Sequence, residues 1–282
     1  MASPLVHCFR ASLFPVNAYL LELADAIVVI DSTLGVSDGR ALRARVDATG
    51  KPLRAVIVTH THPDHYGGLT ALLEGSEGVP ILSIQGVRDA IERDDLAKEA
   101  ILRPMFGDEW AQRRTFPNRT VRDGERVTFG TVALRVVDLG PGESPHDSLW
   151  LVESNGAAQA FVGDLVYNRM HGFLGDGFHR QWLTNIARAR RELSAQLTFY
   201  PGHGEPGPAG ELLEWQEGYI RTFIDAVGST VGDHAVTDES ATAMVTAKMK
   251  GYLASDDLLF LMQLSIAPIR AALAKARDGV GR

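Results

Sequence analysis

Residues 59–68 read THTHPDHYGG, which sets His60, His62, Asp64 and His65 within six positions of one another. Imidazoles and a carboxylate are costly to bury without partners, so their crowding implies something that holds them. The run AVIVT ahead of them is apolar and β-branched, the pattern of a strand covered on both faces. At the end of such a strand, residues two apart point the same way, so His60 and His62 converge on one point. Pro63 stops the strand and puts Asp64 and His65 at the start of the next helix, aimed at a second point. Gly67 and Gly68 leave room for another segment to approach. Neutral imidazole beside a carboxylate is an ordinary metal-ligand set. A histidine-rich solvated loop accounts for none of the strand exit, the spacing and the glycine pair.

The surrounding pattern alternates strands and helices. NAYLLEL and AIVVID read as strands joined by a tight turn at Ala24 and Asp25. SDGRALRARVDATG reads as a helix with Ser37 as N-cap and Gly50 as its stop. YGGLTALLEG reads as a helix and VPILSI as the next strand, an alternation that argues for a layered α/β fold. A second set of strands follows. ERVTFGTVALRVVDLG is a hairpin with Gly130 near its turn, and SLWLVES and AQAFVGDLV are split by the turn signal Asn155-Gly156. QWLTNIARARRELSA is an amphipathic helix with Trp182, Ile186 and Leu193 broadly on one side. QLTFYPGHG is a short strand entering a glycine-rich loop, and from Glu211 onward the pattern is helical.

With 282 residues, 45% of them hydrophobic, the chain can bury a substantial core. A formal net charge of −7 argues against nucleic acid as a partner. No run of about 18 apolar residues predicts a membrane-spanning helix. The start MASPLVHCFRASLFPV lacks the basic and continuously apolar parts of a signal peptide. The single cysteine, Cys8, has no partner for an internal disulfide, so a cytoplasmic location is the default expectation. His7 and His234 read as surface or structural residues.

One cluster cannot complete two metal shells, so distant ligands are required. FVGDLV offers Asp164 at a strand end and YPGHGE offers His203 in a tight loop. Taken alone, Asp164 could be a helix N-cap and His203 a surface residue. Following the cluster in this order, they read as ligands.

On H-x-H-x-D-H at His60 to His65, the later Gly-Asp at Asp164 and PGHG at His203, the chain resembles the metallo-β-lactamase superfamily over about residues 10 to 206. The opening PVNAYLLE…AIVVIDSTLG, with Asp31 at a strand end, looks like the same family. The resemblance implies an αββα four-layer sandwich with metals at one edge between the sheets. It implies a catalytic domain over residues 1–206 and a helical C-terminal extension over 207–282, which covers the pocket or forms a homo-oligomer interface. One metal would take His60, His62 and a third histidine, the other Asp64, His65 and His203, with Asp164 bridging both.

The chain departs from that pattern at the third histidine. Its stretch is LGPGESPHDSLWL, in which Glu143 occupies the ligand position and His146 lies three residues later. Two readings stand: Glu143 ligates as a carboxylate, or the loop shifts and brings His146 in. A third leaves the first site weak or empty. With Glu143 as ligand, three carboxylates replace the usual two. The preference then moves toward harder ions such as manganese or iron, with two zinc ions as the default.

By the resemblance, the chemistry is metal-assisted hydrolysis, in which a metal-bound hydroxide attacks an ester, thioester, lactone or lactam carbonyl of a small molecule. Asp64 would hold the nucleophile in line. Tyr167, Asn168, Arg169, His171, Phe173, Phe178 and His179 would shape the substrate pocket, with Tyr167 and His171 as oxyanion or orientation groups. Two alternatives remain open: a mononuclear iron oxygenase of the persulfide dioxygenase type, and a non-catalytic metal-binding homologue.

Overall fold

The computed structural model describes residues 4–76, 78–153, 159–232 and 236–280. Asn155, Gly156 and His234 lie outside them. The first sheet has strand order β1 (Leu5–Arg10), β2 (Asn17–Glu22), β3 (Ile27–Ile30), β4 (Leu53–Ile57), β5 (Ile81–Ile84) and β6 (Arg119–Val121). The second runs β12 (Gly207–Pro208), β11 (Thr198–Gly204), β10 (Gln159–Asn168), β9 (Asp147–Glu153), β8 (Val132–Gly140) and β7 (Arg126–Phe129).

Alternation along the second sheet shows how the layers stack. Leu134 and Val136 of β8, Trp150 and Val152 of β9 and Phe161 of β10 point into a core shared with the first sheet. Their neighbours Val137, Leu149, Leu151, Ala160 and Val162 point the other way, into a second core built with helices. That period of two is what a strand buried on both faces shows. Helices α1 (Val36–Asp47), α2 (Leu69–Leu72) and α3 (Gln85–Phe106) close the first core through Leu42, Leu72, Val87 and Ile91. The second is closed by α4 (His179–Glu192), α5 (Ala209–Gly228), α6 (Asp238–Tyr252) and α7 (Leu259–Val280). The result is the expected αββα sandwich, and the C-terminal helices share one core with the second sheet.

Local expectations fared unevenly. The turn at Ala24 and Asp25 is present, with Leu23 N–H bonded to Ala26 O at 2.9 Å. Gly130 takes φ +59° between β7 and β8. Ser37 is not the N-cap of α1. Gly35 stands there without a side-chain bond, and Ser37 donates its amide and hydroxyl to Glu109. The helix after the histidines is shorter than its pattern: a 3-10 turn over Pro63–His65, then a single turn of α2. The 22-residue α3, absent from the sequence reading, is among the longest elements.

At one edge the sheets are stitched together. His60 and Asp147 form a β-bridge, and Ser148 donates its amide and hydroxyl to Thr59 O at 2.9 and 2.7 Å. This join brings the end of β4, the β8–β9 loop, β10 and β11 to one place.

Candidate metal centre

Each arm of this edge carries its side chains for a local reason. β4 ends at Ile57, and the segment to His65 delivers His60, His62, Asp64 and His65. The β8–β9 loop delivers Glu143, and Asp147 folds that loop. Its carboxylate accepts from Glu143 N–H at 2.6 Å, Ser144 N–H at 3.1 Å and Ser144 Oγ at 2.6 Å. Burial first, against those hydrogen bonds, pushes the Asp147 carboxyl up to about 7. In β10 the register against β11 shifts at Gly163, which sits at φ +49° and turns Asp164 toward the edge. β11 brings His203. Gly202 before it has no room for a side chain, because a Cβ there would meet the Asp164 carboxylate and the His65 ring.

Three overlapping groups of donors result: His60, His62, Glu143 and Asp164; Asp64, His65 and His203; and Asp31, His60 and His65. The third is an outer one, since Asp31 meets His65 at Nδ1. Asp164 reaches both of the others. Its Oδ2 is 3.8 Å from His60 Nε2 and 3.2 Å from His203 Nε2, and its Oδ1 is 3.4 Å from His65 Nε2. Asp64 Oδ2 is 3.2 Å from His203 Nε2 and 3.6 Å from His65 Nε2. Glu143 Oε2 is 2.7 Å from His62 Nδ1 and 3.7 Å from His60 Nε2.

The outer partners of the imidazoles decide which nitrogen faces inward. His203 Nδ1 sits 2.5 Å from Pro15 O, which only accepts, so Nδ1 carries the proton and Nε2 a lone pair. His65 Nδ1 donates to Asp31 Oδ2 at 2.8 Å. His60 Nδ1 is 3.0 Å from Thr59 Oγ1, whose own proton goes to Asp31 Oδ2 at 2.8 Å, so Nδ1 again donates. His62 is reversed: its Nε2 faces Asp176 Oδ2 at 3.2 Å and its Nδ1 faces the donors. Such outer bonds are how metal-binding imidazoles are fixed in tautomer and direction. Asp31 does this at φ +59°, a strained backbone angle for a residue with a side chain.

The inward atoms then have nothing to bond. His60 Nε2, His65 Nε2, His203 Nε2, Glu143 Oε2 and Asp164 Oδ1 are buried without a hydrogen-bond partner. Burial, then the neighbouring His65, holds the His60 imidazole well below its usual value, which keeps it neutral as a ligand must be. Burial would raise the Asp164 carboxyl, but His203, His65 and His60 pull it well below the usual range. Burial would lower His62, His65 and His203, but the Glu143 charge lifts the first and the Asp164 charge the other two, His203 to about 10, while burial lifts Glu143 to about 8. Cations seated there would displace those protons, and donors converging on two points with their outer atoms already bonded fit a pair of divalent ions.

Not every expected residue arrives. His146 belongs to none of these groups: its ring lies against Gly86 at the start of α3, where a Cβ on Gly86 would strike it. His171 is also elsewhere. Its ring is 3.0 Å from Tyr219 Oη and 3.1 Å from Ser255 O, under the C-terminal helices, so it orients no group at the cluster. Arg169 lies over the Trp215 ring, Asn168 donates to Glu205 O, and His179 begins α4. Tyr167 does arrive. Its ring stacks on His203 at 4.7 Å, and its hydroxyl donates to Glu143 Oε1 at 2.9 Å. Burial, then the Asp164 and Glu143 charges, raises that phenol well above its usual value, so it stays a neutral donor. Sequence reasoning missed Asp147 and Asp176, and the only early sign of Asp31 was its place at a strand end. Lys98 of α3 was missed as well; it donates to Thr61 O and so ties that helix to the histidine segment.

Beside the donors lies a cavity of about 220 Å³, with His62, Asp64, Asp164 and Tyr167 at its floor. Its walls come from α3, α7, Phe14 and Phe173.

A sequence model of the metallo-beta-lactamase superfamily matches residues 11–203. The chain is 28% identical to the Bacillus subtilis (strain 168) protein YobT over 52% of its own length and 61% of that relative. It is 27% identical to the hydroxyacylglutathione hydrolase of Neisseria gonorrhoeae over 52% of its length and 47% of that protein. It therefore spans about half to three fifths of these relatives. Among solved structures, a beta-lactamase domain protein from Burkholderia ambifaria superposes with a TM-score of 0.69 at 19% identity, covering 93% of this chain and 84% of that one. TTHA1623 in a di-iron-bound form superposes at 0.58 with 27% identity, covering 72% and 95%.

Proposed function

Because the chain belongs to the metallo-beta-lactamase superfamily, we propose that it is a hydrolase that uses two divalent metal ions to cleave a carbonyl bond in a small organic molecule. The observation that carries this reading is the set of buried donor atoms left without partners around Asp164, whose two oxygens face both groups. Ions held there would supply a Lewis acid and a water that ionises near neutral pH.

The chain's own residues set the rest. Asp31 fixes His65 directly and His60 through Thr59. Asp176 fixes His62, and Tyr167 and Asp147 fix Glu143. Asp64 and Tyr167 stand at the cavity floor, where the scissile carbonyl must lie. Hydrolysis adds a water oxygen to the carbonyl carbon and breaks its bond to the leaving group, which departs with a proton.

Three carboxylates among the donors favour ions that accept oxygen ligands. Iron or manganese therefore stands beside zinc as a candidate, in keeping with the di-iron form of TTHA1623. Two converging groups of donors that share Asp164 favour this reading over a mononuclear oxygenase.

The test combines metal analysis with turnover on ester, thioester, lactone, lactam and phosphodiester substrates. Two ions per chain are expected, with hydrolysis of a carbonyl class. Asp64→Asn and His65→Ala should keep the far-ultraviolet circular dichroism of the parent and lose turnover at least about a hundredfold. One iron per chain with no hydrolysis, or unchanged turnover in both variants, would overturn the proposal.

A further inference from the structure

Four mouth residues of the cavity are large, apolar and open to solvent. Ile101 and Met105 on α3 are 63% and 62% exposed, and Phe260 and Leu264 on α7 are 44% and 61% exposed. Deeper in, Leu102, Phe106, Phe173 and Leu261 continue the same surface down to the donors. The only ionisable groups lining the cavity belong to its floor: His62, Asp64, Asp164 and Tyr167. No lysine or arginine among the described residues lines it.

We infer that this cavity receives an apolar tail of the substrate, an acyl chain or equivalent hydrocarbon group attached to the carbonyl that is cleaved. Three observations select that occupant. The walls offer no cation for a carboxylate or phosphate and no hydrogen-bonding side chain for a sugar or peptide, so a polar tail would lose its water for nothing. The apolar surface is continuous with the floor, so a chain lying along it brings its own first carbonyl to Asp64 and Tyr167. The volume sets the length. An apolar cavity of about 150 Å³ accommodates benzene, so about 220 Å³ admits a hydrocarbon of about eight or nine carbons. α3 and α7 form the two long walls, and Lys98 anchors α3 to the backbone of the histidine segment.

The inference rests on the hydrolase reading for its carbonyl, so the experiment has two arms that fail separately. In the first, the metal-loaded protein is assayed on p-nitrophenyl esters from acetate to dodecanoate. kcat/KM should rise about fourfold per added methylene and level off beyond about eight carbons. In the second, a dansyl-octyl amide, which carries no ester, is titrated by fluorescence, and its displacement by p-nitrophenyl octanoate is followed. Met105→Glu and Leu264→Glu, both at exposed positions that threaten no packing, should weaken probe binding at least about tenfold. They should also flatten the chain-length dependence. Probe binding with the predicted sensitivity, but no turnover of any ester, would leave the tail site standing and remove the hydrolase reading. Ester turnover with a flat chain-length profile, no probe binding, or probe binding indifferent to both variants would overturn the tail site. Loss of probe binding as the protein self-associates would overturn it too, since a second copy would then cover the mouth.

Discussion

Glu143 and His146 lie three residues apart, yet the fold treats them oppositely. The loop between β8 and β9 is closed by Asp147 accepting the amides of Glu143 and Ser144, and that closure points Glu143 at His60 and His62 while His146 turns toward Gly86. Glu143→Gln should therefore lower metal content from about two ions toward one per chain, whereas His146→Ala should leave it near that of the parent. Elemental analysis after dialysis decides it, and the reverse pattern would move the ligand to His146. Asp31 invites a second substitution. Its side chain holds His65 Nδ1, Thr59 Oγ1 and Thr59 N–H, and its backbone lies at φ +59°, an angle asparagine tolerates. Asp31→Asn should fold, yet bind metal about 10- to 100-fold more weakly, because an amide cannot accept from all three donors. Competition with a chromophoric chelator measures this, and unchanged affinity would show that the His65 tautomer needs no carboxylate.

At the scale of elements, what the sequence disclosed follows from how local each signal is. His60, His62, Asp64 and His65 share one strand exit, so spacing alone groups them. Strands buried on both faces, such as Ile27–Ile30 and Leu53–Ile57, announce themselves by apolar runs. The 22 residues of α3 were illegible because their apolar side chains divide between two faces. Val87, Ala90 and Ile91 turn to the core, and Ile101 and Met105 to the cavity mouth, with charges between. His171 misled for a different reason: Tyr219 and Ser255, which claim its ring, lie 48 and 84 residues away. Asp147 and Asp176 act only once their loops are folded, which no local pattern announces. The same helix supports a prediction on stability. Arg114 is 9% exposed and grips Asp95 and Glu99 of α3 while lying over Trp110. Arg114→Ala should cost about 2 kcal/mol, less than a fully buried pair because Glu99 remains open to water. Hydrogen bonds from Arg103 and then Arg114 hold the Glu99 carboxyl below its usual 4.5. A carboxyl lowered in the folded state stabilises above its unfolded value and ceases to as pH falls through the lowered one. The gap between parent and variant in urea titrations should accordingly narrow below about pH 4.5. A gap that stays constant there would assign the effect to packing on Trp110 instead.

For the molecule as a whole, the donors matter because of where they come from. His60, His62, Asp64 and His65 follow the first sheet, whereas Glu143, Asp164 and His203 belong to the second. Hydrogen bonds such as Ser148 to Thr59, Asn17 to Gly204 and His203 to Pro15 join the sheets at this edge, and the buried donor atoms face one another between them. Ions seated there tie the two halves of the sandwich together, and they bind only the folded chain, since the unfolded one scatters these seven residues over more than a hundred positions. Metal binding must then appear as folding stability. At a free-ion concentration about a thousand times the dissociation constant it contributes about 4 kcal/mol, or roughly 10 °C in midpoint for a domain of this size. The metal donors are not members of either apolar core, so the secondary structure should survive chelation even as the midpoint falls. Differential scanning calorimetry of the loaded and chelated protein, with circular dichroism at 25 °C, separates these effects. A fall in midpoint with unchanged dichroism, restored on adding back zinc, manganese or iron(II), is expected. The ion that restores most identifies the metal the three carboxylates prefer. If chelation removes the metal and the midpoint does not move, the donors do not couple the two sheets, and the unpartnered atoms at this edge need another explanation.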